Sequence, residues 1–273
     1  MMRDFIFVSG LPRSGSTLLS ALLNQNPKLT AGISSPTASL TQIVKVTMSQ
    51  NSEISTQLDD NTRAAVLKGI FHALYEHVPE GVTVVDTSRA WSARIAELNA
   101  LFGLDQVKLI CLVRDPAWIF DSVERIILRN PLQQSRLVAP GSSLSGRMEA
   151  ISSNNGLIGG PLAHLTSAVF GPYSRQVLLV EYDALCSYPK QALAEIYEFL
   201  ELDSFEHDFD NFAFQRKSFD TALATPDLHT VSGPVEVIPR RTILPPAVFA
   251  ALSARSFWRE EIDTQATILS LQK

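Results

Sequence analysis

The stretch with the clearest chemical content is GLPRSGSTLL, Gly10 to Leu19, which follows the apolar run FIFVS. A strand, a glycine-bearing loop and an apolar-striped helix together let successive backbone N–H groups and a helix N-terminus surround a phosphate. Gly10 and Gly15 permit the backbone angles and close approach that such a cradle needs. The nucleotide-hydrolysing loop GxxxxGK[ST] would place lysine at position 16 and a magnesium-binding hydroxyl at 17. Here position 16 is Ser16, and the positive charge has moved into the loop as Arg13. Pro12, Arg13, Ser14, Gly15, Ser16 and Thr17 are therefore the first candidate ligand-binding residues. The competing reading is a tight strand-to-helix turn with an exposed arginine.

The combination P-[RK]-S-G-[ST]-T-L resembles the 5′-phosphosulfate loop of sulfotransferases that use 3′-phosphoadenosine 5′-phosphosulfate (PAPS). The resemblance extends over roughly residues 5 to 250, nearest to bacterial proteins related to tyrosylprotein sulfotransferases. It implies that Arg13 stabilises the bridging oxygen and the leaving group. A sulfuryl group carries less charge than a phosphoryl group, so side-chain cations and backbone donors can stabilise its transfer, and no metal is expected.

A PAPS enzyme needs a second anion site for the 3′-phosphate. CLVRDPAWIFDSVERI, Cys111 to Ile126, resembles that motif: Arg114 closes a strand, Asp115 and Pro116 suit a helix start, and Ser122 lies two turns in. The fork of donors on arginine matches phosphate oxygens, and serine adds one more. VEYDALCSYPKQALAEIYEFLEL resembles a family segment that brings Tyr182 near the cofactor; a buried core tyrosine is the alternative. LHTVSGPVEVIPRRTILPP falls where a C-terminal loop, about 225 to 246, closes over the cofactor, so that Arg240 or Arg241 would reach a phosphate unless both are surface arginines.

Transfer to a hydroxyl also needs a base, and here the pattern departs from the family, whose branches use histidine or glutamate. TAGISSPTASLTQIV, which follows the first helix, has no ionisable residue, and the K-T-H type segment of other relatives reads VVDTSRAW. Asp86 is the first candidate, since it closes a strand beside the expected transfer site; it could instead cap the next helix or orient Arg89. Arg89 would supply the cation that many relatives provide as lysine. Glu124 and Glu53 are reserves, and His72, on an apolar helical stripe, reads as a packed histidine.

The elements that must hold these residues are legible from hydrophobic runs. FIFVSG (5 to 10), VTVVDT (82 to 87), VKLICLVRD (107 to 115) and QVLLVEY (176 to 182) are Val/Ile/Leu-rich with little alternation, as strands buried on both faces are. Helical periodicity marks 16 to 26, 92 to 102, 116 to 129 and the segment opening at Pro189. Alternation of this kind predicts a doubly wound α/β fold. With the resemblance it becomes a P-loop three-layer α/β/α domain spanning 1 to 273, with a central, mainly parallel sheet. Residues 31 to 60 and 130 to 170 are expected as insertions forming the acceptor pocket; 130 to 160 and 203 to 246 show no sustained period.

Of the 273 residues 45% are hydrophobic, enough for a sizeable core, and the net charge of −5 argues against a nucleic-acid partner. Cys111 and Cys186 show no metal or disulfide spacing, which fits a reducing, cytoplasmic setting. No signal-peptide core or membrane span is read, so no membrane partner is expected. The sequence leaves a homodimer open. The leading function is sulfuryl transfer from PAPS to a hydroxyl or amine of a small-molecule acceptor, giving 3′,5′-ADP. Peptidyl-tyrosine sulfation, an ATP-dependent small-molecule kinase and an inactive nucleotide-binding module are the alternatives.

Overall fold

The computed structural model describes residues 4–50, 53–129, 143–222 and 228–271. The chain runs β1 (Phe5–Gly10), α1 (Ser16–Leu23), β2 (Leu29–Ala31), α2 (Thr37–Ser49), α3 (Glu53–Thr56), α4 (Asp60–Leu74) and β3 (Thr83–Thr87). It continues through α5 (Ile95–Phe102), β4 (Leu109–Val113), α6 (Pro116–Arg129), α7 (Leu144–Ser152), α8 (Gly159–Phe170), β5 (Val177–Glu181), α9 (Tyr182–Ser187) and α10 (Pro189–Phe199). Last come β6 (Ala213–Gln215), α11 (Lys217–Ala222), β7 (Thr230–Ser232), α12 (Pro246–Ser253) and β8 (Thr267–Leu269).

Six strands form one sheet in the order β2-β3-β1-β4-β5-β8, and every neighbouring pair is parallel. Because side chains alternate along a strand, each central strand feeds two cores. Phe5, Phe7, Val84, Leu109, Cys111, Val177 and Leu179 point to one face; Ile6, Val8, Val85, Ile110, Leu112, Leu178 and Val180 point to the other. The first face is covered by α2, α4, α5, α6, α8 and α12, and the second by α1, α9 and α10. This is the expected three-layer α/β/α architecture. With both faces apolar, polar chemistry is confined to the strand ends, and in an open parallel sheet ligands lie outside the carboxyl ends.

The four strands read from the sequence are present, and the short edges β2 and β8 are additions that its hydrophobic pattern did not mark. The irregular stretch 203 to 246 holds an antiparallel ribbon, β6 with β7, around the short helix α11. Of the expected insertion at 130 to 170, residues 130–142 lie outside the described residues, and the remainder is largely α7 and α8. Among the described residues no helix is long and apolar enough to cross a membrane.

Helix boundaries follow local chemistry. The Asp115 carboxylate accepts from the Ala117 N–H at 2.8 Å, capping α6 as Pro116 sets its first turn. Asn24 closes α1 by donating from its amide to Ser20 O at 2.7 Å and Ala31 O at 2.8 Å. Gly10 ends β1 at φ 115°, and a Cβ there would lie 2.0 Å from the carbonyl oxygen of Leu112 on β4. That contact cannot relax without moving two central strands. Gly10→Ala should therefore lower stability by roughly 2 to 4 kcal/mol, read as a fall in the urea midpoint; an unchanged midpoint would mean that the turn tolerates a side chain.

Candidate active site

The β1–α1 loop bends through two residues in the left-handed region, Arg13 at φ 58° and Gly15 at φ 94°. Ser14 Oγ donates to Leu11 O at 2.5 Å and holds the bend. Gly15 precedes α1 and supplies no side-chain cap, so the first-turn amides are left for an outside acceptor. A side chain at Gly15 would strike the Tyr182 ring, 2.7 Å from its Cδ2. The loop is thus shaped against a residue from the carboxyl end of β5.

Arg13 spans both candidate anion sites. Its Nε donates to Ser122 Oγ at 3.3 Å and its Nη1 to Leu228 O at 3.1 Å. Arg114, only 6% exposed, donates from Nη1 to Arg13 O at 3.2 Å and lies 4.4 Å from the Tyr182 ring centroid. Its Nε is buried and has no partner among the described residues. Burial, followed by the mutual proximity of Arg13, Arg114 and Arg240, makes protonation of Arg13 and Arg114 less favourable than usual. The structure therefore assembles Arg13, Arg114, Ser122, Tyr182 and Arg240, which come from well-separated parts of the sequence.

Arg240 is placed by an anchor on α6. The buried Asp121 carboxylate accepts from Arg125 Nε at 2.6 Å, Thr242 Oγ1 at 2.9 Å and the Ile243 N–H at 2.8 Å. Burial would raise the Asp121 pKa, but these hydrogen bonds outweigh it and hold the carboxyl below its usual range. Arg241 takes part through its carbonyl oxygen, which accepts from Arg125 Nη2 at 2.5 Å; its side chain is exposed. Arg240 is thus the one of the two expected arginines whose charge acts on Arg13 and Arg114.

The expectation that Asp86 is the base needs correction. Asp86 is 0% exposed, and its Oδ2 accepts from Ser35 Oγ, Thr37 Oγ1 and Tyr75 Oη, each at 2.7 Å. Its Oδ1 accepts from Trp91 Nε1 at 2.7 Å. Both oxygens are committed and shielded from an acceptor. Burial, then the Asp86 charge, pushes the Tyr75 phenol up, so it stays a donor. Asp86 instead ties the start of α2 and the turn at Trp91–Ala93 to the end of β3. Arg89, between them, is exposed and its guanidinium has no hydrogen-bond or ion-pair partner among the described residues.

The reserve bases fare no better. Glu124 is buried in a two-pronged ion pair, accepting from Arg147 Nε at 2.7 Å and Nη2 at 2.6 Å. Glu53 is exposed on α3, and His72 is half-buried beside the buried residues Leu67 and Phe71 of α4. Burial raises both thiols, Cys111 and Cys186, away from the reactive thiolate form.

A further network escaped the sequence reading. Arg259 donates from Nε to Glu181 at 2.6 Å, from Nη1 to Asp115 at 3.1 Å and from Nη2 to Asp183 at 3.0 Å. Burial disfavours its charge, but the three carboxylates more than offset this and raise its pKa. No local motif announces it, because Arg259 lies more than seventy residues from each partner.

A doubly covered parallel sheet, with a glycine loop and a cluster of arginines at its carboxyl ends, defines a P-loop-type α/β fold. A model described as the sulfotransferase family matches residues 4–207, which include the β1–α1 loop and the β4–α6 junction, and the chain belongs to that family. Its fold is similar to the sulfotransferase domain of the Synechococcus PCC 7002 olefin synthase, at 18% identity and TM-score 0.54 over 96% of each chain. Sulfotransferase STF9 from Mycobacterium avium is 13% identical, with TM-score 0.49 over 97% of this chain and 79% of the other. Mouse sulfotransferase SULT7A1, solved in complex with PAP, is 17% identical, with TM-score 0.47 over 75% of this chain and 59% of the other. None of the curated protein sequences matches.

The Asp86 arrangement is directly testable. Asp86→Ala strands the donors of Ser35, Thr37, Tyr75 and Trp91 and should lower stability by about 3 kcal/mol or more. Asp86→Asn, which keeps one acceptor oxygen, should lower it by about 1 to 2 kcal/mol. Equilibrium urea unfolding reads both, and two wild-type-like midpoints would remove Asp86 from its structural role.

Proposed function

We propose that this protein transfers the sulfuryl group of PAPS to a hydroxyl or amine of a small-molecule acceptor, releasing 3′,5′-ADP. The observation that carries the reading is Arg114. Its buried Nε lacks a partner among the described residues, in a guanidinium that already stacks on Tyr182 and donates to the glycine loop. A buried, unpaired cationic donor is unfavourable in an isolated protein, whereas a charge-assisted bond to phosphate relieves it. The uncapped amides at the start of α1 and the glycine contact under Tyr182 suit the same ligand.

PAPS, when bound, supplies a sulfuryl group on a stabilised leaving group. Arg114 and Ser122 hold its 3′-phosphate, and Arg240 closes on it from the C-terminal side. The amides of Gly15, Ser16 and Thr17 hold its 5′-phosphate, with Pro12 and Ser14 shaping the loop. Arg13, between the sites, stabilises the charge left on the departing oxygen. Tyr182 walls the site through its ring.

In this reading the chain acts as a single catalytic unit. The acceptor is taken to lie beside α2 and α8, which cover the same face of the sheet through Ala38, Leu162 and Leu165, with Arg89 as a further cation after β3. The ribbon and the segment from Leu228 to Arg241 form the cover over the donor.

Binding of 3′,5′-ADP should exceed that of 5′-AMP by about 1 to 3 kcal/mol, the scale of charge-assisted bonds to one phosphate. Arg114→Ala should erase most of the difference. Calorimetry giving equal affinities for the two nucleotides in the wild type would overturn the donor assignment.

Charge compensation by Arg13, Arg114 and Arg240 also makes the affinity for 3′,5′-ADP independent of magnesium. Titration in excess EDTA should agree within about twofold with titration in magnesium. Binding that vanished with the chelator and returned with the metal would favour a phosphoryl-transfer enzyme.

A further inference from the structure

We propose that His229, oriented by Asp220, is the general base that takes the acceptor proton; the inference rests on the sulfuryl-transfer reading above. The protein has five histidines. His72 and His77 lie on α4 and the turn leading to the amino end of β3, and His164 is exposed on α8. His207 is enclosed by the rings of Tyr197, Phe205 and Phe209. His229 adjoins the glycine loop, since the carbonyl of its neighbour Leu228 accepts from Arg13 Nη1 at 3.1 Å. The strand that begins at the next residue, β7, packs on α1.

The pair is built as an acid–base device. Asp220 is 3% exposed; its Oδ2 accepts from the His229 backbone N–H at 3.0 Å, and its Oδ1 lies 2.5 Å from Nδ1. With a carboxylate as its partner, Nδ1 carries the ring proton and Nε2 keeps the lone pair. The same carboxylate stabilises the imidazolium that forms when Nε2 takes a proton. Phe219 packs edge-on against the ring, 5.1 Å between centroids at 89°, which restricts its rotation. Nε2 has no partner among the described residues, and 18% of the side chain is open.

Among the described residues the charges around this pair are few. The Asp220 carboxylate faces the ring, and its charge reaches Arg13. Arg240 is the next cation along the same cluster. The two elements against β7, α1 and β6, contain no titratable residue, and on α11 Lys217 is exposed. The other carboxylates at the strand ends are already spent: Asp86 on four donors, Glu124 on Arg147, and Asp115, Glu181 and Asp183 on Arg259.

In the transfer, His229 Nε2 takes the acceptor's O–H proton as an oxygen lone pair forms the new O–S bond. The bond from sulfur to the bridging phosphate oxygen breaks, and its electron pair leaves on 3′,5′-ADP beside Arg13. Solvent then removes the proton from Nε2.

Release of 3′,5′-ADP from PAPS tests this with three acceptors of different acidity: phenol, 4-nitrophenol and water. His229→Ala should lower turnover with phenol about 10² to 10⁴-fold, the usual contribution of general-base catalysis. The loss should be smaller with 4-nitrophenol, which needs less help to lose its proton, and added imidazole should restore part of the activity. His229→Gln, which keeps a polar side chain beside Asp220, should be as inactive as His229→Ala, and both variants should bind 3′,5′-ADP as the wild type does. A wild type that fails to bind 3′,5′-ADP overturns the transfer reading itself. Intact binding overturns the base alone if the variants keep their turnover, if both phenols lose equally without rescue, or if the wild type is inert with all three acceptors.

Discussion

The structure depends on keeping a buried arginine un-neutralised. Arg114 and Arg259 stand at the same end of the sheet, and their surroundings are opposite. Arg259 gathers Asp115, Glu181 and Asp183, which outweigh its burial and raise its proton affinity, whereas burial first and then the nearby Arg240 charge lower that of Arg114. Asp115 follows Arg114 directly, and Asp183 follows Tyr182. Either could have paired with Arg114 locally, but Arg259 draws both carboxylates to itself. The positive potential at the strand ends is thereby left for a ligand, in a chain whose net charge is −5.

The same logic explains why the site lies where it does. Alternate residues of β1, β3, β4 and β5 enter two separate apolar cores, so no polar side chain can be accommodated along most of their length. Polar groups emerge where the strands stop: Gly10 and the loop after β1, Asp86 near the end of β3, Arg114 after β4, and Tyr182 after β5. Asp86 illustrates the cost of such a position. It is buried, and four separate hydrogen-bond donors converge on it to satisfy both oxygens.

Those convergences mark the limit of what the sequence could reveal. The glycine loop, the strand-ending arginine and Ser122 were legible because their chemistry is local: fixed spacings next to apolar runs. Asp86 was misread because its partners Ser35, Thr37 and Tyr75 come from the loop before α2, the first residue of α2 and the residue after α4, none of which carries a motif. The edge strands β2 and β8 were missed because three residues are too short for a hydrophobic period to register. His229 and Asp220 are nine residues apart in a stretch with no helical or strand period, so only the folded ribbon brings them face to face. Arg240 was read as one of two equivalent arginines, and the Asp121 anchor is what distinguishes it from Arg241.

Arg13 joins these parts into one device. Among the described residues its side-chain hydrogen bonds go to uncharged oxygens, Ser122 Oγ at 3.3 Å and Leu228 O at 3.1 Å, at or beyond the long end of the normal range. An anionic oxygen is the stronger acceptor, so a phosphate or phosphosulfate held in the loop would compete for either donor. One of those donors holds the carbonyl adjacent to His229, so occupation of the donor site bears directly on the segment that presents the proposed base. Arg13 thus touches Ser122 on one side and the carbonyl beside His229 on the other, and in the proposed transfer this single side chain would link leaving-group stabilisation to the placement of the base.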